Sequence, residues 1–169
     1  MMENRLLHRL AIERDAEMLS QMICENANTT LRPHYDDDQW RIFLRYYSPE
    51  AMRTKIKDQY TFCAELDGTI VGTVALDRDF VVGFYTRLEY LNQGIGKSLM
   101  RHLENFALSK GLHEIRLAAS PEGLSFYYKH AWKKVKDITM EHYGVGFKET
   151  LMVKQLERDH TFNFTDWYD

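Results

Sequence analysis

Hydrophobic and polar positions divide the chain into segments whose period changes several times. Residues 5–11 alternate in the manner of a short strand. Glu13, Arg14, Asp15 and Ala16 then open a helix that places Ala16, Leu19, Met22 and Ile23 on one face. A second helix is predicted at "PHYDDDQW". There Asp36, Asp37 and Asp38 suit the positive end of a helix dipole, and Trp40, Phe43, Leu44 and Tyr47 recur at helical spacing. Ser48, Pro49 and Glu50 start a further turn or short helix, because proline loses nothing at a first helical position whose N–H has no partner anyway.

From Tyr60 the pattern becomes that of strands, rich in aromatic and branched residues and cut by the hairpin signal Asp67-Gly68. It predicts three antiparallel strands over 60–66, 69–76 and 80–87, with only Asp77, Arg78 and Asp79 in the second turn. Helical spacing returns over 95–110, where Ile95, Leu99, Leu103, Phe106 and Ala107 form one apolar stripe and Gly111 suits the C-terminal cap. A strand at 114–118, a short helix in "PEGLSFYYKH" and two strands joined around 143–146 complete the pattern.

A length of 169 residues suits one domain, read here as 1–156 with a C-terminal tail at 157–169. The tail carries aromatic residues without a period, so it either docks on its own core or serves a homodimer contact. A net charge of −3 gives no general reason to bind nucleic acid or an anionic membrane. Cys24 and Cys63 are too few for a disulfide framework, and no histidine or cysteine spacing suits a metal, so no metal is expected and a reducing cytoplasm fits. Charges interrupt the N-terminal stretch before any export signal or membrane span develops.

Candidate chemistry centres on "LNQGIGKSLM", residues 91–100, where Gly94 and Gly96 lie at the mouth of the helix. A helix N-terminus presents unpaired N–H groups and positive potential, and glycine lets an anion approach the backbone. The same glycines also suit a tight turn with close helix packing. Their spacing fits neither a Walker loop nor a dinucleotide fingerprint.

With these residues the chain resembles the GNAT superfamily of N-acyltransferases, whose pattern is Arg/Gln-x-x-Gly-x-Gly/Ala after the fourth strand. Phe84, Tyr85, Tyr90, Gly94-Ile95-Gly96 and the amphipathic helix fall where that family has them. "IRLAASPEGLSFYYKHAWKKV" is similar to the family's fifth strand, its Ala-x-x-Phe-Tyr helix and its Gly-Phe opening of the sixth strand, here Ala131-Trp132. Leu91 stands where the pattern has Arg or Gln. The resemblance implies an α/β (α+β) domain of GNAT fold. Its mixed six- to seven-stranded sheet is antiparallel in its first half, has its fourth and fifth strands parallel and splayed, and is flanked by about four helices.

It also implies an N-acetyltransferase that moves an acetyl group from acetyl-CoA to a primary amine, small molecule or peptide, by direct attack in a ternary complex. The alternative is a non-catalytic acyl-CoA sensor or interaction domain. By resemblance the pyrophosphate loop is Gln93, Gly94, Ile95, Gly96, Lys97 and Ser98, and the backbone of Phe84, Tyr85 and Thr86 pairs with pantetheine as an added strand, where Gly83 either marks a bulge or is simply a tolerated small residue. Lys97 is better placed than Arg101 or Lys129 for the adenosine phosphates. An alkylammonium with pKa about 10.4 must lose a proton to react. The family's usual base position aligns with Phe80, which cannot accept one, so Glu141 and His142 near the last hairpin turn, with Asp77 and Asp79, are the candidates. Tyr127 matches the tyrosine that serves the CoA sulfur. Neighbouring helical residues diverge by about 100°, so Tyr127 and Tyr128 cannot both do so. Asp36, Asp37 and Asp38 are placed to draw a cationic amine to the pocket mouth.

Overall fold

The computed structural model describes residues 6–157. Arg5 of the first expected strand, and the expected tail apart from Glu157 together with any dimer contact it makes, lie outside the described residues. The strands are β1 (Leu6–Leu10), β2 (Tyr60–Leu66), β3 (Thr69–Asp77), β4 (Phe80–Thr86), β5 (Glu114–Ala119), β6 (Lys133–His142) and β7 (Val145–Gln155). The helices are α1 (Ala16–Thr30), α2 (Asp37–Tyr46), α3 (Pro49–Asp58), α4 (Ile95–Ser109) and α5 (Leu124–Lys129).

All seven strands form one sheet in the order β1-β2-β3-β4-β5-β7-β6, antiparallel except for the parallel β4–β5 pair. This is the mixed sheet that the sequence implied. Its two halves barely hold together at the centre. β4 and β5 pair only at Phe80 and Arg116, where the Arg116 amide donates to the Asp79 carbonyl at 2.9 Å. Beyond that point β4 bends away, and the cause is local. The pairs Thr73–Tyr85 and Ala75–Val82 leave Gly83 and Phe84 opposite the single residue Val74, with Gly83 at φ +61°. An extra residue on one strand bends it and sharpens its twist, so the bulge at Gly83 is what opens the gap.

α4 covers one face of the sheet and α1 the other. Leu99 and Leu103 of α4 are fully buried in a core with Val71, Val74, Leu117 and Met152. Leu19, Met22 and Ile23 of α1 pack with Phe43, Tyr47, Met52 and Cys63. α4 approaches β3 closely because residue 72 is glycine: a Cβ there would stand 2.7 Å from Leu99 Cδ1.

α2 starts in a capping box. The Gln39 amide donates to Asp36 Oδ1 at 2.8 Å and the Asp36 amide to Gln39 Oε1 at 3.0 Å, which satisfies two otherwise unpaired donors. The expected stripe of α2 is rotated by about one residue. Ile42 is buried with Phe43, whereas Leu44 is 40% exposed. β3 runs on to Asp77, so the second hairpin turn is only Arg78 and Asp79, with Arg78 in the left-handed region at φ +58°.

Ala131 is also left-handed, at φ +68°. The family pattern has glycine at this position, and an L residue in that conformation costs about 1 kcal/mol. Ala131→Gly is therefore expected to raise the thermal midpoint by about 2–4 °C, measured by calorimetry. A lowered midpoint would contradict this account of the turn.

No helix among the described residues is long and apolar enough to cross a membrane. No group of three or more His, Cys, Asp or Glu among them is arranged to hold a metal ion.

Candidate active site

Where β4 leaves β5 the structure opens a cavity of about 700 Å³. Its walls come from α1, α2, β4, the start of α4, β5 and the turn after it, α5, β6 and β7. Volumes of this order hold drug-sized ligands.

One end is the bare start of α4. Gly94 is the N-cap at φ +82°, and no side chain caps the helix. The Ser98 amide already bonds within the helix, 3.0 Å from the Gly94 carbonyl. The amides of Ile95, Gly96 and Lys97 are thus left facing outward at the positive end of the dipole. Gly96 is bare for a second reason: a Cβ would meet Phe84 Cζ at 3.2 Å and Thr86 Oγ1 at 3.7 Å, both on the cavity wall. Gly94, Ile95, Gly96 and Lys97 line the cavity together with Phe84, Tyr85 and Thr86. The Thr86 carbonyl is occupied, accepting from Asn26 Nδ2 at 2.6 Å.

Two residues of the expected loop are not brought to the cavity. Ser98 lies past the first turn, and its hydroxyl pairs with His8 Nε2 on β1 at 2.9 Å. Gln93 is exposed, with Nε2 3.4 Å from the Glu89 carbonyl. Arg101 and Lys129 are exposed and also lie off the cavity wall.

The opposite end is an aromatic chamber. Tyr35 meets Phe147 edge-on at 5.3 Å, Tyr46 meets Tyr47 at 4.9 Å, and His142 lies 4.6 Å from the Tyr46 ring. The Lys55 ammonium donates to the Tyr46 carbonyl at 2.9 Å and stands 3.6 Å from the Tyr46 ring. Burial, and then this nearby ammonium, lower the His142 pKa and favour neutral imidazole.

Glu149 projects into this chamber from β7. Its carboxylate has no hydrogen bond or ion pair among the described residues, and burial pushes its pKa up to about 7. The sequence reading missed it. The available signal was phase: Phe147, Glu149 and Leu151 share one face of β7, so Glu149 is a charged residue at an inward, apolar position. Glu141, by contrast, is exposed and off the cavity wall, because one step along β6 reverses the side a residue faces. His142 does line the chamber.

Tyr127 lines the cavity between these two ends, against Phe84 at 6.3 Å and Trp132 at 5.9 Å, whereas Tyr128 is 51% exposed. Burial, reinforced by the Glu149 charge, holds the Tyr127 pKa well above the usual phenol range. Its hydroxyl keeps its proton and has no partner among the described residues. Phe80 lines the cavity, but Asp77 and Asp79 do not. Asp79 is held by Arg116 at 2.9 Å. The acidic run at the start of α2 also stays off the wall: Asp36 caps its helix, and Asp38 pairs with Arg41 at 3.1 Å.

A split sheet, an uncapped helix start and a chamber between them are what an acyltransferase needs, and the relatives agree. Residues 31–156 match the family described as the acetyltransferase (GNAT) domain. The chain belongs to this family. It is 28% identical over 141 residues to a spermidine N(1)-acetyltransferase of Thermoplasma acidophilum, covering 75% of this chain and 87% of the relative. The solved PaiA N-acetyltransferase from Thermoplasma acidophilum, in complex with coenzyme A, superposes with a TM-score of 0.76 at 24% identity, over 89% of this chain and 99% of that one. A GCN5-related N-acetyltransferase from Rhodopseudomonas palustris gives 0.83 at 21% identity, over 92% and 99%. At these identities the two structures establish the GNAT fold. In this GNAT chain the unpaired amides, the cradle that a Cβ at Gly96 would fill and the open edge of β4 fit an elongated donor carrying phosphates.

Proposed function

We propose that the chain transfers an acetyl group from acetyl-CoA to a primary amine by direct attack in a ternary complex, with Glu149 as proton acceptor. One observation carries this: an unpartnered, half-buried carboxylate shares a cavity with the uncapped start of α4. A domain that only sensed acyl-CoA would have no use for that carboxylate, whose desolvation costs free energy unless a cation is to be met there. The sequence relative, named for acetylation of spermidine, supports a small amine as acceptor.

The amides of Ile95, Gly96 and Lys97, with the Lys97 side chain, would hold the pyrophosphate, and the edge of β4 at Phe84 to Thr86 would hold the pantetheine. Acetyl-CoA when bound supplies an acetyl group activated as a thioester. Glu149 attracts the ammonium form of the acceptor and takes its proton. Between a donor of about 10.4 and an acceptor near 7 this transfer is uphill by roughly 5 kcal/mol in water. The aromatic walls reduce that cost, since they strip water from the cation and lower its pKa. His142, neutral beside them, is placed to pass the proton outward. The Tyr127 hydroxyl, still protonated, donates to the sulfur as it leaves.

Tyr127→Phe is expected to lower kcat by about 100-fold with little change in donor affinity. A variant that binds acetyl-CoA poorly but turns over normally would contradict this role. The function itself is tested by release of CoA thiol from acetyl-CoA over a panel of primary amines. Release dependent on amine, with one acetylated amine formed per thiol, is expected. Absence of release with every amine would overturn the reading.

A further inference from the structure

We propose that the acceptor is a primary amine carrying a single positive charge on a compact apolar body, such as an arylalkylamine, rather than a polyamine. This rests on the reading of acetyl transfer above and narrows its substrate class. It follows from how charge is distributed over the cavity wall. Of the acidic residues among the described ones, only Glu149 and Glu122 line the cavity. Glu122 belongs to the turn before α5, and its charge, like that of Glu149, acts on Tyr35. Glu122 already has His34 Nε2 3.4 Å from its Oε1, so Glu149 is the wall carboxylate without a partner among the described residues.

Around that carboxylate the chamber is mostly aromatic or apolar, with Tyr35, Phe43, Tyr46, Phe147 and Met140 beside the neutral imidazole of His142 and the Lys55 ammonium against the Tyr46 ring. Ring faces stabilise one desolvated ammonium through cation–π contact and reward an apolar body through area removed from water. A second ammonium a few carbons from the first would lie against the same walls with no counter-charge, where desolvation is not repaid. The acidic run Asp36, Asp37 and Asp38, which would suit a polycation, is off the wall of the cavity. The Lys55 ammonium, 3.6 Å from the Tyr46 ring, adds repulsion instead.

The test compares 2-phenylethylamine with spermidine at saturating acetyl-CoA, following thiol release and acetylated product. A calorimetric titration of each amine into the CoA complex reads binding separately. The expected result is a kcat/KM for 2-phenylethylamine at least about tenfold above that for spermidine. Glu149→Gln should weaken 2-phenylethylamine binding at least about tenfold, with CoA affinity unchanged. Met140→Glu, which adds a second carboxylate to the chamber, should shift the preference towards spermidine.

Turnover that favours spermidine in the wild type would overturn the proposal while leaving acetyl transfer standing. Unchanged 2-phenylethylamine affinity in folded Glu149→Gln would likewise overturn it. Failure of both amines to react while CoA binds would overturn the proposal, whereas the acetyl-transfer reading falls only if no amine of the panel reacts.

Discussion

Glu149→Gln is expected to lower kcat for acetyl transfer by about 100-fold or more, the usual worth of a positioned general base, while donor affinity stays at the wild-type value. The amide is nearly isosteric with the acid, so the chamber keeps its shape, but it can neither carry the charge that draws an ammonium nor accept its proton. Stability should move in the opposite direction to activity. The folded protein holds the Glu149 proton up to about pH 7, whereas the unfolded chain releases it at the ordinary carboxylate pKa. Folding stability therefore falls as pH rises through that interval and stays lowered above it. A neutral amide does not carry this penalty, so the variant should melt above the wild type at pH 8. An inactive variant that melts lower would point to a damaged fold, and a fully active one would remove Glu149 from the mechanism.

Gly96→Asp is expected to abolish acetyl-CoA binding, a loss of at least about 100-fold in affinity, measurable by calorimetric titration. Two effects add. The new Cβ would stand 3.2 Å from Phe84 Cζ, on the wall along which the donor must lie. The new carboxylate also places negative charge beside the unpaired amides that would hold a pyrophosphate, at about 1 kcal/mol or more per close like-charge contact even in water. Gly96→Ala carries the steric effect without the charge and should fall between the two. A folded Gly96→Asp protein of wild-type affinity would disprove the loop assignment. Pantetheine, lacking the phosphates, should bind weakly to wild type and variant alike.

The fold was legible because its signals are local and repeated. The stripe of Ile95, Leu99 and Leu103 and the strand runs around Asp67-Gly68 are periodic over many residues, and the structure realises them nearly where they were read. The bulge at Gly83 was suggested only by the splayed strands that the family resemblance implies, since a lone strand glycine is as readily a tolerated small residue. The rotation of α2 was not. Ile42 and Leu44 are equally apolar, and only packing against the rest of the molecule decides which one turns inward.

Within the site, residues tied to backbone geometry were readable, such as Gly94 with its left-handed φ. Residues defined by distant contacts were not. Ser98 is drawn off the cavity by His8, ninety residues away in sequence. Glu149 stands out only because burial between elements distant in sequence raises its pKa to about 7. Glu141 looked equivalent by composition and differs only in which side of its strand it faces.

The most direct test of the account is the pH dependence of kcat/KM for acetyl transfer to a simple amine, in the wild type and in Glu149→Gln. kcat/KM reports the ionisations of free enzyme and free substrate. Below about pH 7 Glu149 holds its proton and can neither attract the ammonium nor take its proton, so the wild-type value should fall by about tenfold per pH unit as the pH drops. The alkaline limb should follow the amine itself, near 10.4. The wild-type value should therefore break near pH 7 and level off above it, whereas in Glu149→Gln, whose residual rate depends on the free amine alone, it should rise without a break through that range towards about 10.4. A wild-type profile without a limb near 7, or one that survives unchanged in Glu149→Gln, would contradict it.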